Sequence, residues 1–565
     1  MNTNFKKLTT DFTPFRTLIE EDYVYVDKTG LLRELILGSH KNMFLSRPRG
    51  FGKSLVLDTV AEIFSGNASL FEGLQIQKLG YDFPQYPVLR FDMSLASSSP
   101  EELKRALMGS LNLLADENNL TLKSKDHNNA LKELINKTRK KHQKDVVILI
   151  DEYDYPVSSA LPDKVLAEKN TKVLANFYVG LKSVSSLLRC ALVTGATCYE
   201  MTGISSGLNN LYDISFDKKY AAICGFTPEE MDHYFGDCYP AILQTLSKDN
   251  YLATTKSGSQ VLSTAADLKK EMLKWYDGYS WDGLTKVLNP ISIINFLDIH
   301  TFGRFWKLTG ASENLLMNIF ENLSFELTFD KLEDVPLEGL AKLNPGDVKA
   351  VPFLFQTGYL TIDKRYYKNS VECFSLKVPN FELKNEFYTN FSKNLFKILV
   401  KDTEKIQEAI KLETAFLKRD AEALSKIIAA LYAELPDVLQ PPRAYQDSAD
   451  EHGRAPRESF YHSLLWVYCK VSLEDARAEE PGSKGTPDLT LTLNDQTYVI
   501  VELKYAKDVG QDNVEAVLNT RAKEALKAIK DKKYGQHYHL KGQKALTVGV
   551  GVFGRGEVKV IFGDD

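Results

Sequence analysis

Gly485-Thr-Pro-Asp488-Leu-Thr-Leu-Thr-Leu493, then Asn494-Asp-Gln496, then Thr497-Tyr-Val-Ile-Val501-Glu502-Leu503-Lys504, reads as two strands joined by a short turn. If 488–493 and 497–503 pair as a hairpin, Leu493 faces Thr497 and the register carries Asp488 opposite Glu502. Like charges directly across a ladder, with β-carbons about 5 Å apart, destabilise the pair. A hard divalent cation held by both carboxylates reverses the sign of that interaction. Strand side chains alternate, so Lys504 falls on the Glu502 face while Val501 and Leu503 point into the core. An ammonium group beside such an ion can orient water or stabilise the charge that develops on a phosphate. The cluster therefore predicts a phosphodiester-cleaving site. The plainer alternative is a hairpin in which Asp488 ends a loop and Glu502 and Lys504 form a surface ion pair.

With Pro487-Asp488 and Glu502-Leu503-Lys504 in these positions, the segment resembles the PD-(D/E)XK nuclease superfamily. The resemblance implies a further acidic residue from a preceding helix. Glu458, in Arg457-Glu458-Ser-Phe-Tyr-His-Ser-Leu-Leu465 and in the first turn after Pro456, fits that place. The implied metal ligands are Glu458, Asp488 and Glu502, with Mg2+ or Mn2+ as the ion and Lys504 as the catalytic lysine. A helix over Val514 to Lys533 and a strand over Ala545 to Val552 are the expected remainder of a restriction-endonuclease-like α/β domain.

The first half carries a second constellation. Asn42-Met-Phe-Leu-Ser46 is a short apolar strand that runs into Arg47-Pro-Arg-Gly50-Phe-Gly52-Lys53-Ser54. Leu55, Val56, Val60 and Ile63 then recur at helical spacing. Strand, glycine-containing loop and helix form a phosphate cradle: Arg49, Gly50 and Gly52 line it, Lys53 reaches the outer phosphates and the Ser54 hydroxyl ligates Mg2+. The usual phosphate-loop pattern places its first glycine at position 47, where this chain has Arg47.

Asp145-Val-Val-Ile-Leu-Ile150 reads as a strand buried on both faces of a parallel sheet, and it ends in Asp151-Glu152-Tyr153-Asp154. Asp151 is the expected Mg2+ ligand of the nucleotide and Glu152 the residue that polarises the attacking water. Pro87 to Asp92 and Arg189 to Gly195 read as further strands of a doubly wound parallel sheet. Thr194, at the end of the latter, either contacts the γ-phosphate or the water, or simply closes the strand.

Along nearly its whole length the chain resembles the AAA-ATPase-like proteins that carry a carboxy-terminal PD-(D/E)XK domain. The residues that carry this are Tyr25-Val-Asp27-Lys28-Thr29, Ser46 to Ser54, Leu149-Ile-Asp-Glu-Tyr-Asp154, Ser206-Gly-Leu-Asn-Asn-Leu211, Cys224-Gly-Phe-Thr227, Trp275-Tyr-Asp-Gly-Tyr279, Leu288-Asn-Pro290, Gln356-Thr-Gly-Tyr359 and Val378-Pro-Asn380. Three departures stand out. The phosphate loop has Arg49-Gly50-Phe51 where the family commonly has Arg-Arg-Phe. Ala196-Thr197-Cys198-Tyr199 follows the sensor strand in place of Ser-Arg, and Ala528 replaces a glutamine in the helix after the catalytic lysine.

The expected fold is a P-loop AAA-like doubly wound parallel sheet (1–225), a helical lid (226–332), a winged-helix-like segment (333–386), a helical connector (387–440) and the nuclease-like domain (441–565). Trp275, Tyr276 and Tyr279 are expected in the core rather than as a base-stacking platform. Phe387 to Leu435 reads as two helices with Leu399, Ile406, Ile410, Leu424, Ile427 and Leu431 on buried stripes. Pro436 to Pro456 is the best linker, and His537 and His539 are expected in a solvated loop.

With 44% hydrophobic and 26% charged residues, the 565-residue chain has the composition of a globular protein of three or four domains. A net charge of -5 does not mark a nucleic-acid binder, although Lys504 to Lys544 holds ten Lys/Arg against five Asp/Glu. Six scattered cysteines form neither a zinc pattern nor a disulfide framework. No stretch approaches the roughly 20 apolar residues that span a bilayer. A cytoplasmic protein is expected, with ATP and Mg2+ at Ser54 and Asp151 and nucleic acid, DNA more than RNA, as partner. A homo-oligomer could supply an arginine in trans. The alternative is a nucleotide-dependent switch or a nucleic-acid-binding protein with one or both sites inactive.

Overall fold

The computed structural model describes residues 6–95, 98–199, 211–249, 251–255, 258–306, 332–384 and 402–433, and much of 461–563. The chain divides into two compact units, one of 1–251 with 262–319 and 329–384, the other of 385–565 with the short stretches 252–261 and 320–328.

In the first unit β1 (Asn42–Ser46), β2 (Val88–Asp92), β3 (Val146–Asp151), β4 (Leu188–Gly195) and β5 (Tyr212–Asp213) form one parallel sheet in the order β2-β3-β4-β1-β5. Helices α1 (Lys53–Phe64), α2 (Pro100–Glu117), α3 (His127–His142) and α4 (Lys164–Ser183) fall between successive strands, as a doubly wound sheet requires. All six residues of β3 are buried, which is why it reads as an unbroken apolar run. α1 buries Val56, Leu57, Val60, Ile63 and Phe64, each stabilising the unit by roughly 1.5–3 kcal/mol. α2 starts where the Ser99 hydroxyl accepts the Glu102 N–H ahead of Pro100. α3 ends in Arg139, Lys140, Lys141 and His142, charges that suit the negative end of its dipole. Because β4 lies between β1 and β3, the segments that leave all three strands emerge side by side at one edge of the sheet.

Helices α5 (Pro228–Phe235), α6 (Tyr239–Lys248), α7 (Ala265–Tyr276) and α8 (Pro290–Ile299) follow. Thr227 and Glu230 close a reciprocal capping box at the start of α5. Tyr276 and Tyr279 are buried, and Trp275 packs on Phe302 and Phe381, so the aromatic cluster is core. The winged-helix-like segment has β6 (Leu332–Pro336), α9 (Ala350–Gln356), β7 (Thr361–Lys368) and β8 (Val371–Lys377), its antiparallel strands in the order β6-β8-β7. Arg365 pairs with Glu372, Lys368 with Asp334 and Lys377 with Asp363, each at 2.6 Å. Those cations are committed within the segment.

The second unit contains α10 (Asp402–Leu417) and α11 (Ala421–Ala433). Leu424 and Leu431 are buried as expected, but Ile410 is 57% exposed. The buried face of α10 is Leu412, Ala415 and Phe416, an i, i+3, i+4 set on another side of the helix. In α11 the fully buried member is Ile428, with Ile427 at the margin. The side chains of Leu399 and Ile406, the linker 436–456 and both His537 and His539 lie outside the described residues.

A five-stranded sheet follows in sequence order: β9 (Arg477–Ala478), β10 (Leu489–Thr492), β11 (Tyr498–Ala506), β12 (Ala545–Phe553) and β13 (Glu557–Phe562). Only β11 and β12 are parallel, and α12 (Val514–Asp531) makes the crossover that a parallel pair needs. The glycines of β12 seat that helix. A β-carbon at Gly549 would stand 2.2 Å from the Ala522 carbonyl oxygen, and one at Gly551 would stand 2.4 Å from that of Leu518. Gly549 and Gly551 pair in register with Glu502 and Lys504, so α12 lies over the face these two residues share.

Candidate functional site

In the second unit, Leu489 pairs with Val501 and Thr492 with Tyr498, and the Leu493 N–H donates to the Thr497 carbonyl at 2.9 Å. That register places Asp488 across from Glu502, as the sequence predicts. The Asp488 N–H donates to Glu502 Oε2 at 3.4 Å, and Asp488 Oδ2 accepts the Leu503 N–H at 2.7 Å. Both carboxylates are deeply buried, 5% and 2% exposed. The plainer reading of a surface ion pair is incompatible with this burial.

Val501 and Leu503 are buried too, so both faces of β11 are covered. Lys504 Nζ stands 3.8 Å from Glu502 Oε1, and Lys532 Nζ, at the C-cap of α12, approaches the same oxygen at 3.8 Å. Burial first, and then the neighbouring Asp488 charge, push the Glu502 carboxyl up to about 7 against the opposing pull of the two lysines. His462 Nε2 donates to the Asp488 carbonyl and holds the strand end from the other side. Glu458 lies outside the described residues.

Sequence reasoning missed Lys532 and His462. His462 lies four residues beyond Glu458 in the sequence, a spacing that, on the helix expected there, could have flagged it. Lys532 had no such signal, because its approach depends on how closely the two glycines let α12 settle on β12.

Among the described residues no group of three or more His, Cys, Asp or Glu side chains converges. The donor set at this place is therefore the Asp488 and Glu502 pair. Two opposed hard oxygen donors, one with its charged form disfavoured by burial and by its neighbour, fit a Mg2+ or Mn2+ ion.

In the first unit, β1 delivers the chain to the glycine loop and α1 begins at Lys53. Gly50 and Gly52 take φ of +82° and +96°, the left-handed region that favours glycine. A β-carbon on Gly52 would meet nothing within 4 Å, so the space over the loop is open. Lys53 is buried and folds back on its loop, its Nζ donating to the Pro48 carbonyl at 3.3 Å. Arg49, Gly50, Gly52, Lys53, Ser54, Asp151 and Glu152 line one cleft of about 950 Å³, whose apolar side includes Leu18, Tyr25, Ile223, Phe226 and Phe235. Loop amides, an ammonium and a hydroxyl facing two carboxylates across such a cleft suit a nucleoside triphosphate with its Mg2+.

Asp151 is held by its neighbours. Oδ1 accepts the Thr194 hydroxyl at 2.7 Å and the Glu152 N–H at 3.1 Å. Thr194 is fully buried, and the cleft lining runs through Asp151 in front of it. Glu152 has φ +51°, uncommon for a residue with a side chain. Its carboxyl is raised by burial, with Lys53 and Arg49 pulling it down and Asp154 and Asp151 adding to the rise. Asp154 turns the other way and accepts the Ala196 N–H, the Thr197 N–H and the Thr197 hydroxyl at 3.1, 2.9 and 2.5 Å. It ties the turn after β3 to the turn after β4.

Arg47, the departure from the glycine pattern, is walled off from the cleft. Its guanidinium is 1% exposed, donates to the carbonyls of Ser46, Ser215 and Tyr220 at 2.8, 2.9 and 3.3 Å, and lies 4.1 Å over the Trp281 ring. Burial lowers its pKa to about 10. Phe51, two residues before Lys53, is boxed by Tyr279, Trp281 and Trp306. The phosphate loop is thus clamped to Tyr279-Ser280-Trp281, at and just beyond the end of the Trp-Tyr-Asp-Gly-Tyr segment, by one cation and one ring.

The segment before α1 closes the cleft. Lys28 Nζ lies 2.6 Å from both carboxylate oxygens of Glu230, the capping-box residue of α5, and the Asp27 N–H donates to the Tyr234 hydroxyl at 3.1 Å. Burial lowers the Lys28 pKa, opposed by Glu230. The region 200–210, including most of Ser206 to Leu211, lies outside the described residues.

Residues 11–205 match the family described as Predicted AAA-ATPase, and residues 456–561 match the PD-(D/E)XK nuclease superfamily. A protein of Azotobacter chroococcum mcd 1, described as an uncharacterized protein in the vnfD 5' region, is 28% identical over 552 residues, 96% of each chain. A crystal structure of a Signal Transduction ATPase with Numerous Domains that carries a tetratricopeptide repeat sensor, from Pyrococcus horikoshii, aligns at 13% identity and a TM-score of 0.22. The alignment covers 79% of this chain and 62% of that one. Among the described residues no helix is long and apolar enough to cross a membrane.

Proposed function

We propose that this chain, which joins an N-terminal AAA-ATPase-like domain to a C-terminal PD-(D/E)XK nuclease superfamily domain, is an ATP-dependent or ATP-gated nuclease acting on DNA. The observation that carries the cleavage reading is the opposition of two buried carboxylates, one of them pushed toward neutrality, beside two lysines. Such a pair costs free energy in the folded chain until a cation joins it.

Asp488 and Glu502, with Glu458 as third acid, would hold Mg2+ or Mn2+. Bound there, the ion supplies Lewis acidity and an activated nucleophile for in-line attack on a phosphodiester. Lys504, beside Glu502, stabilises the charge that grows on the phosphate oxygens. The Leu503 N–H holds the Asp488 carboxylate, and the His462 ring holds the main chain at Asp488 through its carbonyl.

At the other site Lys53 and the loop amides bind the outer phosphates, and Ser54 and Asp151 hold the nucleotide's Mg2+. Glu152 accepts a hydrogen bond from the attacking water, a task suited to a carboxylate raised by burial. Thr194 positions Asp151 through its hydroxyl.

The test incubates plasmid and linear DNA with the full-length chain in Mg2+ or Mn2+, with and without ATP. The expected result is metal-dependent cutting that ATP modulates, lost in Asp488→Ala and no longer responsive to ATP in Lys53→Ala. Equal cutting by wild type and Asp488→Ala contradicts the assignment.

A further inference from the structure

Among the described residues, Lys532 is the lysine near the carboxylate pair that comes from outside the hairpin. It lies at the C-cap of α12, and its Nζ is as close to Glu502 Oε1 as that of Lys504, 3.8 Å in both cases. A lysine at a helix C-terminus needs no partner beyond water and the helix dipole. Lys532 keeps 48% of its side chain exposed, with its ammonium 5.4 Å over the Tyr534 ring, and still approaches a carboxylate that is 3% exposed. The position is made by the fold: Gly549 and Gly551 let α12 approach within contact of β12, which brings the helix end beside Glu502.

We propose that Lys532 is a second phosphate-contacting residue of the cleavage site, which with Lys504 forms a two-ammonium clamp for the phosphodiester of a nucleic acid. Two cations converge on one carboxylate oxygen because the substrate's phosphate brings the charge that the second one serves. With a phosphodiester in the site, the two ammonium groups would contact its oxygens, one from the hairpin and one from the end of α12, while Glu502 would be among the residues that hold the ion. This inference rests on the nuclease reading, and it places half of the clamp on α12 rather than on the hairpin.

The experiment measures binding of a linear duplex to the full-length chain in chelator, over a series of salt concentrations, together with cleavage of the same duplex in Mg2+. The variants are Lys532→Gln, Lys532→Arg and, as a control for generic charge loss on the same helix, Lys523→Gln. Loss of one phosphate contact lowers the slope of log affinity against log salt by about one. The expected result is that drop in Lys532→Gln with cleavage reduced about 10- to 100-fold, restoration of most of both in Lys532→Arg, and no change in Lys523→Gln. A wild type that cuts, with Lys532→Gln matching it in slope and rate, overturns the role of Lys532 alone. A wild type that neither binds nor cuts overturns the nuclease reading and this inference with it.

Discussion

The two sites of this chain hold their charges in opposite ways. In the glycine-loop cleft two of the facing charges have protein partners: Asp151 takes the Thr194 hydroxyl and Lys53 takes the Pro48 carbonyl, while Arg47, behind the cleft, is sealed against three carbonyls and a tryptophan ring. In the hairpin site two carboxylates face each other with backbone amides and two lysines at 3.8 Å as their relief, and one of them is pushed up to about 7. On the proposed function, a cation at the second site would relieve the cost of the opposed carboxylates, which would couple metal binding to stability there.

The largest effect that sharpens this contrast is chemical. Asp488→Asn keeps the shape but removes one of the opposed charges, and cleavage of linear DNA should fall about 1,000-fold, the upper end of what one stabilising group contributes. Gel assays in Mg2+ measure it, and a loss of less than tenfold would mean that the pair does not serve catalysis. Next comes Arg47→Gly, which restores the usual phosphate-loop residue. It leaves a cavity under Trp281 and removes a donor from three carbonyls, of which that of Tyr220 keeps the Ile223 N–H, so the first unit should lose about 3 kcal/mol. Thermal unfolding reads this as a drop of several degrees, and an unchanged transition would show that the buried cation is dispensable.

A third test separates the sites by pH. The Glu502 carboxyl is raised in the folded chain from an ordinary 4.5 to about 7, so between those values the folded state holds a proton that the unfolded state has lost. The metal-free protein therefore loses stability as pH rises through that window. Glu502→Gln, which cannot ionise, should be more stable than wild type at pH 8 by on the order of 2 kcal/mol, and the gap should close below about pH 4.5. A gap that does not narrow as the pH falls would remove the stored cost from the account. The smallest effect belongs to the cleft: Thr194→Val removes a single hydrogen bond to Asp151, and ATP turnover should fall about tenfold with ATP affinity held within threefold. If affinity falls instead while turnover per bound nucleotide is kept, Thr194 acts on binding rather than on the placement of Asp151.

Much of this was legible in the sequence, for identifiable reasons. The hairpin register followed from counting residues about a short turn, and the opposition of Asp488 and Glu502 came with it. β3 was readable because burial on both faces demands an unbroken apolar run. What escaped depends on long-range packing. The covering of the Glu502 face by α12 is set by Gly549 and Gly551, some 50 residues away. The phase of α10 was misread at Ile410 because an exposed isoleucine looks like any other in a helical pattern, and only the neighbours of Leu412 and Phe416 decide which side is inward. Arg47 looked like a defect in a motif, and its three carbonyl acceptors come from Ser46 and, about 170 residues further on, Ser215 and Tyr220, which no local pattern announces.

The most direct test of the central claim is a calorimetric titration of Mn2+ into the metal-free, nucleotide-free full-length chain at pH 6, in two buffers of different ionisation heat, for wild type and Asp488→Asn. The account predicts one bound ion in wild type with release of close to one proton, as Glu502 gives up the proton its surroundings let it keep, and loss of that binding in the variant. Equal affinity and equal proton release in the two proteins would contradict it.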